Sequence, residues 1–200
     1  MPLMPSTPSL YLALIPLAYL LGSVPTGIVV SKALGKADPR TAGSGNIGAT
    51  NVGRTSGKAA GILTLAGDII KGALPVYIAF LVNRDAAFVS LVGLAAFIGH
   101  IFPIYLKFRG GKGVATACGI MLVISPAATL LSGAVFLAVV LVKRYVSLGS
   151  MAASASLPVF LSCIRGGKPY VPMGVAISVL IIIKHIDNIK RLVSGHENKI

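Results

Sequence analysis

The sequence predicts an all-α integral membrane protein: a polytopic helical bundle of about seven transmembrane helices, forming one domain over residues 1–200. Two observations predict this fold. Hydrophobic residues make up 55% of the 200 residues and charged residues only 12%, a composition far more apolar than that of a soluble domain. The apolar residues also form long runs, and roughly 20 apolar residues of helix cross a bilayer. We therefore expect the membrane lipid bilayer to surround the protein.

Seven apolar runs are candidate spans, and they cover residues 10–30, 59–82, 86–106, 114–124, 127–142, 151–164 and 171–183. The fourth, sixth and seventh runs are shorter than a perpendicular crossing, so we expect short helices in a thinned bilayer or partly re-entrant segments. The first run is too long for a cleaved leader and has no basic residue before it. We expect it to be a retained span.

The basic residues predict the orientation, because Lys and Arg concentrate in loops that stay cytoplasmic. With seven crossings, one side carries fourteen of the 18 Lys and Arg residues, while the other carries Arg84, Arg165 and Lys168. We therefore expect the N-terminus outside and the C-terminus in the cytoplasm. The net charge of +13 is then explained by topology and by attraction of anionic substrates, and no nucleic-acid partner is expected.

The first loop on the basic side has an anion-binding composition. It reads Gly-Ser-Gly-Asn-Ile-Gly-Ala-Thr-Asn from Gly43 to Asn51, and Arg54 follows. Glycines let backbone N–H groups turn towards an anion, and amides, hydroxyls and a guanidinium add donors. A flexible connector is the alternative, but the interleaved donors favour a site. The candidate substrate-binding residues here are Ser44, Gly45, Asn46, Thr50, Asn51 and Arg54.

A second glycine-rich loop leads directly into an apolar helix. Backbone donors at a helix N-terminus favour a phosphate group, and Lys112 can neutralise it. The spacing of a nucleotide-binding P-loop is absent, so nucleotide hydrolysis is disfavoured. A purely topogenic basic cluster is the alternative, and both interpretations can hold together. The candidate residues are Gly110, Gly111, Lys112, Gly113 and Thr116.

The C-terminal segment 184–192 has the pattern of an interfacial amphipathic helix. Ile186 and Ile189 lie on one helical stripe, and His185 and Asn188, three residues apart, share another. Such a helix can present the imidazole and the amide to a site, although a plain membrane-surface helix shows the same pattern. Arg191 belongs to this segment. Ser147, in the remaining basic loop, can donate to the same site.

Three acidic or basic residues lie within the apolar runs. Asp68 and Lys71 are three apart, and charges at that depth are costly unless they are paired or face a cavity. A structural ion pair and a substrate contact by Lys71 are equally compatible with the sequence. His100 is a further candidate for substrate binding, and the alternative is a hydrogen-bonded packing residue.

The three motifs in register, residues 43–51, 110–116 and 185–192, resemble those of the bacterial acyl-phosphate-dependent glycerol-3-phosphate acyltransferases over nearly the whole chain. The resemblance implies a multi-pass enzyme of the bacterial inner membrane that faces the cytoplasm. It implies transfer of a fatty acyl group from acyl phosphate to the 1-hydroxyl of sn-glycerol 3-phosphate, giving lysophosphatidic acid and inorganic phosphate. Neither a cofactor nor a metal is implied, and we expect a monomer.

The resemblance also implies roles for individual residues. Ser44 and Arg54 correspond to functional residues of the first motif, and the loop from Gly110 to Gly113 is associated with acyl phosphate. His185 and Asn188 correspond to functional residues of the third motif, and Glu197 to a structural glutamate. We expect the three motifs to meet at the inner leaflet. The candidate catalytic residues are His185, Asn188, Lys112 and Ser147.

An activated acyl donor needs no covalent serine or cysteine intermediate, so we expect direct attack by the glycerol hydroxyl. Either His185 or a substrate phosphate oxygen can serve as the base. A transporter of phosphorylated solutes is the main alternative, but it predicts phosphate ligands near mid-membrane from both halves of the chain. A non-catalytic membrane protein leaves the glycine-rich loops unexplained.

Overall fold

The computed structural model describes residues 11–200, and all regular secondary structure in that range is helical. Ten α-helices occur there: α1 (Leu14–Gly22), α2 (Thr26–Ala33), α3 (Ala49–Ser56), α4 (Lys58–Val82), α5 (Ala86–Ile101), α6 (Val114–Ile124), α7 (Pro126–Lys143), α8 (Val146–Cys163), α9 (Val171–Lys184) and α10 (Ile186–Val193). Short 3-10 turns cover Pro39–Thr41, Ile104–Leu106 and Lys168–Tyr170. The prediction of an all-α fold is confirmed. The predicted first span begins at residue 10, which lies outside the described residues.

The seven apolar runs correspond to helices of different lengths. Among the described residues, four segments are long and apolar enough to cross a membrane: Lys58–Val82, Ala86–Leu106, Pro126–Lys143 and Val146–Cys163. Two bent pairs raise this to six if each is one span: α1 with α2, bent by 48°, and Lys168–Lys184 with α10, bent by 54°. The short apolar helix α6 corresponds to the fourth run, as expected.

The sixth run belongs to a helix that is long and apolar enough to cross a membrane, which corrects the expectation that it is short. Helix α8 has 18 residues because it begins at Val146, whereas the apolar run begins at Met151. Its first turns contain Ser147, Gly149 and Ser150, all buried in the protein. These small residues lower the local hydropathy without ending the helix.

Several helix boundaries follow directly from local chemistry. The carboxylate of Asp85 accepts a hydrogen bond of 2.8 Å from the backbone N–H of Phe88 and thereby caps α5. Pro126 occupies the first turn of α7, where no backbone N–H is needed. Pro25 lies at the break between α1 and α2.

The chain divides into two compact units, residues 1–120 and residues 121–200. The prediction that the whole chain acts as one domain stays a prediction. In the first unit, α1 packs on α5, and α4 contacts α1, α2, α3 and α5. A Cβ added to Gly22 of α1 would overlap the backbone of Ala96 in α5. The glycine therefore permits a close helix crossing, as is common in membrane bundles.

Helix α6 begins against the middle of α4. A Cβ at Gly72 would overlap the carbonyl of Thr116, and a Cβ at Gly119 would overlap the carbonyl of Ile69. These two glycines let the backbones approach closely, so the first turn of α6 lies beside the part of α4 that contains Asp68 and Lys71.

The second unit is built by α7 packing on α8, α8 on α9, and α9 meeting α10. Leu161 of α8 and the α9 residues Ile177 and Ile181 are fully buried in its core. His185 stands at the break between α9 and α10, so the bend positions this side chain.

Candidate active site

The first polar loop, which comprises residues 43–51 and the following Arg54, is organised by the side chain of Asn51. This side chain is 2% exposed. Its Oδ1 accepts from the backbone N–H of Ser44 at 2.8 Å. Its Nδ2 donates to three loop carbonyl oxygens, those of Pro39 at 2.8 Å, Asn46 at 2.9 Å and Ala42 at 3.2 Å. The geometry uses the amide of Asn51 to shape the loop, and substrate contact by Asn51 stays a prediction.

Glycines and a second amide complete the shape of this loop. Gly43 and Gly45 have φ values of 61° and 68°, a left-handed conformation that favours glycine. A Cβ at Gly43 would overlap Oδ1 of Asn51. The side-chain oxygen of Asn46 accepts from the N–H of Gly48 at 2.8 Å and turns the chain into α3.

The donors that face solvent are Ser44, Thr50 and Arg54, all exposed. Thr50 and Arg54 are four residues apart on α3 and therefore lie on one face of the helix. The first polar loop thus presents two hydroxyls and one guanidinium on a backbone fixed by Asn51. This combination suits a phosphate or a polyol phosphate.

The second loop, here called the glycine loop (Gly110–Gly113), packs against the end of α5. The N–H of Gly111 donates to the carbonyl oxygen of His100 at 3.2 Å. A Cβ at Gly110 would overlap the carbonyl of His100, one at Gly111 would overlap Nε2 of His100, and one at Gly113 would overlap the ring of Phe97. These glycines are required because the backbone lies directly on α5.

The backbone around this loop is unusually constrained. Lys107 and Phe108 have φ values of 51° and 63°, and Gly113 has 84°. Consecutive non-glycine residues in the left-handed region are uncommon and cluster at functional sites. Lys112 is half-buried between two buried glycines, and α6 begins at Val114. The loop therefore places a cation beside the N-terminal N–H groups of an apolar helix.

A chain of buried polar side chains lies below the glycine loop. Nζ of Lys71 is 2.8 Å from Oδ1 of Asp68 and donates to the carbonyl oxygen of Val24 at 2.8 Å. Nδ1 of His100 is 3.6 Å from Oδ1 of Asp68 and 3.0 Å from Oγ1 of Thr116. Of the two alternatives for Lys71, an ion pair and a substrate contact, the structure shows the ion pair with Asp68. Substrate contact by Lys71, His100 or Thr116 stays a prediction, and all three are buried.

The second unit holds a cluster around Glu197, whose side chain is 7% exposed. Its Oε1 accepts from Oγ of Ser147 at 2.7 Å and from Nδ2 of Asn188 at 2.6 Å. Its Oε2 accepts from Nε of Arg191 at 2.7 Å. Burial raises the pKa of Glu197, but the bonds from Ser147, Asn188 and Arg191 outweigh it, so the pKa is lowered overall.

His185 is buried and lies three residues before Asn188 in the sequence. Its Nδ1 lies 2.8 Å from the carbonyl oxygen of Ile181. A carbonyl oxygen only accepts, so Nδ1 carries the hydrogen of the ring and the lone pair of a neutral imidazole is on Nε2. This tautomer presents the basic nitrogen away from the backbone of α9.

The structure thus groups the predicted residues within each unit. In the first unit it fixes the first polar loop and the glycine loop; in the second it joins Ser147, Asn188 and Arg191 through Glu197. The sequence named Lys71 as a possible partner of Asp68 and missed His100, whose Nδ1 lies 3.6 Å from Oδ1 of Asp68, although an acid in an apolar helix signals that partners exist. Among residues 11–200, no three His, Cys, Asp or Glu side chains group as metal ligands.

Known proteins of one family match this chain over nearly its full length. A family model described as glycerol-3-phosphate acyltransferase matches residues 12–195. The glycerol-3-phosphate acyltransferase of Syntrophotalea carbinolica is 52% identical over 183 residues, which cover 91% of this chain and 93% of that protein. That of Geobacter sulfurreducens is 47% identical over 188 residues, covering 94% and 96%.

Two crystal structures of PlsY, an integral membrane glycerol 3-phosphate acyltransferase, have the same fold at 42% identity. Its glycerol 3-phosphate form gives a TM-score of 0.90 with 95% of each chain covered. Its lysophosphatidic acid form gives 0.88 with 94% of each covered. The matched sequence, the helical membrane fold and the glycine-rich loops agree, and this chain belongs to the glycerol-3-phosphate acyltransferase family.

Proposed function

We propose that this chain transfers a fatty acyl group from acyl phosphate to the 1-hydroxyl of sn-glycerol 3-phosphate, releasing lysophosphatidic acid and inorganic phosphate. The observation that carries the proposal is that the chain has two separately built loops, the first polar loop and the glycine loop, whose donors suit phosphate groups. A reaction between two phosphate-bearing substrates needs both. The two PlsY structures, in forms with glycerol 3-phosphate and with lysophosphatidic acid, support this assignment.

The first polar loop is proposed to bind glycerol 3-phosphate. Arg54 offers a planar guanidinium that pairs with phosphate oxygens in two parallel bonds. Ser44 and Thr50 are exposed hydroxyls that can bond the phosphate or the glycerol backbone. Gly45 keeps the left-handed conformation that the loop requires.

The glycine loop is proposed to bind the phosphate of the acyl donor. The ammonium of Lys112 and the first N–H groups of α6 would stabilise this phosphate as its charge increases. In the reaction, the 1-hydroxyl oxygen forms a bond to the acyl carbonyl carbon, and the bond from that carbon to the phosphate oxygen breaks. The bonding electrons leave with the phosphate, and a base takes the hydroxyl proton.

His185 is proposed as that base. The bond from Nδ1 to Ile181 fixes the tautomer in which Nε2 is basic. Glu197 holds Ser147 and Asn188 by direct hydrogen bonds, so it would orient two further polar groups for the same reaction. A phosphate oxygen of a substrate is the alternative proton acceptor.

We further propose that the protein lies in the bacterial inner membrane as a monomer, with its N-terminus outside and its active site facing the cytoplasm. The asymmetry of fourteen basic residues against three supports this orientation. The same side carries both anion-binding loops.

Purified protein in detergent tests the reaction. Phosphate release from acyl phosphate is followed with and without glycerol 3-phosphate, and lysophosphatidic acid is measured in parallel. We expect release that depends on glycerol 3-phosphate and matches the product one to one. Release without the acceptor, or solute exchange across vesicles without turnover, would contradict the proposal.

A further inference from the structure

The side chains of Lys71, Asp68, His100 and Thr116 form a buried polar chain next to the glycine loop. These residues are 5%, 2%, 4% and 0% exposed. They connect the middle of α4 to the first turn of α6 through contacts of 2.8, 3.6 and 3.0 Å. Buried charges and hydroxyls are costly unless each has a partner. Apolar residues could pack there at lower cost, so the polar chain needs an explanation.

His100 is the member of this chain that contacts the glycine loop. Its carbonyl oxygen accepts from the N–H of Gly111 at 3.2 Å. Its ring lies so close to Gly111 that a Cβ there would overlap Nε2. The position of one imidazole ring therefore sets the path of the loop backbone.

The opposite edge of the imidazole is held by two oxygen atoms. Nδ1 faces Oγ1 of Thr116 at 3.0 Å and the carboxylate of Asp68 at 3.6 Å. Thr116 lies three residues after Gly113, in the first turn of α6, so the same contact fixes the start of that helix. Lys71 balances the carboxylate and also bonds the carbonyl of Val24.

We propose that His100 is a positioning residue for phosphate binding: Asp68 and Thr116 hold its imidazole, and the imidazole holds the glycine loop in the conformation that receives the donor phosphate. The inference rests on the proposed role of the glycine loop. In this proposal His100 acts through the backbone of Gly110 and Gly111 and not by direct contact with the substrate. Loss of its anchors should weaken phosphate binding at this loop and leave glycerol 3-phosphate binding intact.

The test uses Thr116→Val, which removes the hydroxyl and keeps the shape. Inorganic phosphate serves as the probe, through its inhibition constant against acyl phosphate. We expect Thr116→Val to raise this constant and the KM for acyl phosphate about fivefold to tenfold, as loss of one buried hydrogen bond implies. The KM for glycerol 3-phosphate should change less than about twofold, and Thr116→Ser should restore phosphate inhibition.

The control is Thr64→Val on α4. Thr64 is equally buried, at 0% exposure, but its hydroxyl donates to the carbonyl of Ala60 in its own helix at 2.8 Å. A purely structural role for Thr116 would make both valine variants lose thermal stability without a specific change in phosphate inhibition. That result would overturn the inference.

A second variant covers the case in which Thr116→Val does not fold. Gly111→Ala displaces the loop from the ring, and it should raise the inhibition constant in the same direction. Unchanged inhibition in this variant would also overturn the inference.

Lys112→Met separates the two proposals: if it leaves phosphate inhibition unchanged, the proposed role of the glycine loop fails as well. If only Lys112→Met has an effect, that role stands and the positioning role of His100 fails.

Discussion

Asn188 and Glu197 are joined by a hydrogen bond of 2.6 Å from Nδ2 to Oε1, which ties a candidate catalytic residue of α10 to the segment after the helix. The same oxygen receives the hydroxyl of Ser147, and the other carboxylate oxygen receives Arg191. One carboxylate therefore organises three predicted site residues.

This arrangement predicts acid sensitivity of the second unit. The pKa of Glu197 is lowered from 4.5 in the folded protein, so the ionised carboxylate stabilises the fold above that value. The contribution is lost as pH falls through the lowered folded pKa. Glu197→Gln should lower stability at pH 7 by about 1–3 kcal/mol, and the difference from the parent should shrink in acid.

Thermal unfolding in detergent at neutral pH and at a series of acidic pH values checks this prediction. Asp187→Asn is the control, because Asp187 is an exposed acid on α10, the helix that carries Asn188 and Arg191. A difference between Glu197→Gln and the parent that stays constant down to the lowest pH would contradict the role of the ionised carboxylate.

The four hydrogen bonds of Asn51 predict that it supports acceptor binding indirectly. Asn51→Ala removes all four and leaves buried loop carbonyls without this donor, so we expect a loss of stability of about 1–3 kcal/mol. The KM for glycerol 3-phosphate should rise because Ser44 loses its fixed position.

Thermal unfolding and steady-state kinetics measure both effects. Asn83→Ala provides a comparison, since the side chain of Asn83 accepts one bond, from the N–H of Asp85 at 2.9 Å. Equal effects of the two substitutions would argue against a special role of Asn51.

Arg54 is expected to recognise the acceptor phosphate through its planar guanidinium. Arg54→Lys keeps the charge but loses the paired donors, so we expect the KM for glycerol 3-phosphate to rise about tenfold or more, corresponding to a lost charge-assisted bond. The KM for acyl phosphate should stay nearly constant.

Kinetics with each substrate varied in turn test this separation, with Arg84→Lys as the control at an exposed arginine before α5. An equal rise in the KM for both substrates would show that Arg54 acts through general electrostatics.

His185→Gln distinguishes the two candidate bases. If Nε2 of His185 takes the hydroxyl proton, kcat should fall about 10²- to 10⁴-fold, and the pH dependence of kcat should lose its acidic limb. His196→Gln, at an exposed histidine, should leave both unchanged. Nearly full turnover with an unchanged pH profile in His185→Gln would assign the proton to a substrate phosphate oxygen.

Local sequence was sufficient to predict most of the fold. Apolar runs long enough for a bilayer predicted the helices. In the structure, α7 begins at Pro126 and Asp85 caps the start of α5. The length of α8 was mispredicted because Ser147, Gly149 and Ser150 lower the hydropathy of a helix whose first turns are buried against protein. Hydropathy reports whether a segment prefers water or lipid. It predicts helix length least well where the residues of one helix are buried against another.

The sequence by itself determined that the chain is an all-helical membrane protein, and it predicted that two of its loops bind phosphate groups. Only the tertiary structure decided which donors are exposed and which are used internally: Asn51 bonds its own loop, Lys71 pairs with Asp68, and Glu197 bonds Ser147, Asn188 and Arg191. The physical reason is that an amide, an ammonium or a carboxylate has the same bonding capacity towards a substrate as towards the backbone. Its partner depends on which groups the fold brings within bonding distance, and these include residues as far apart in the chain as Ser147 and Glu197.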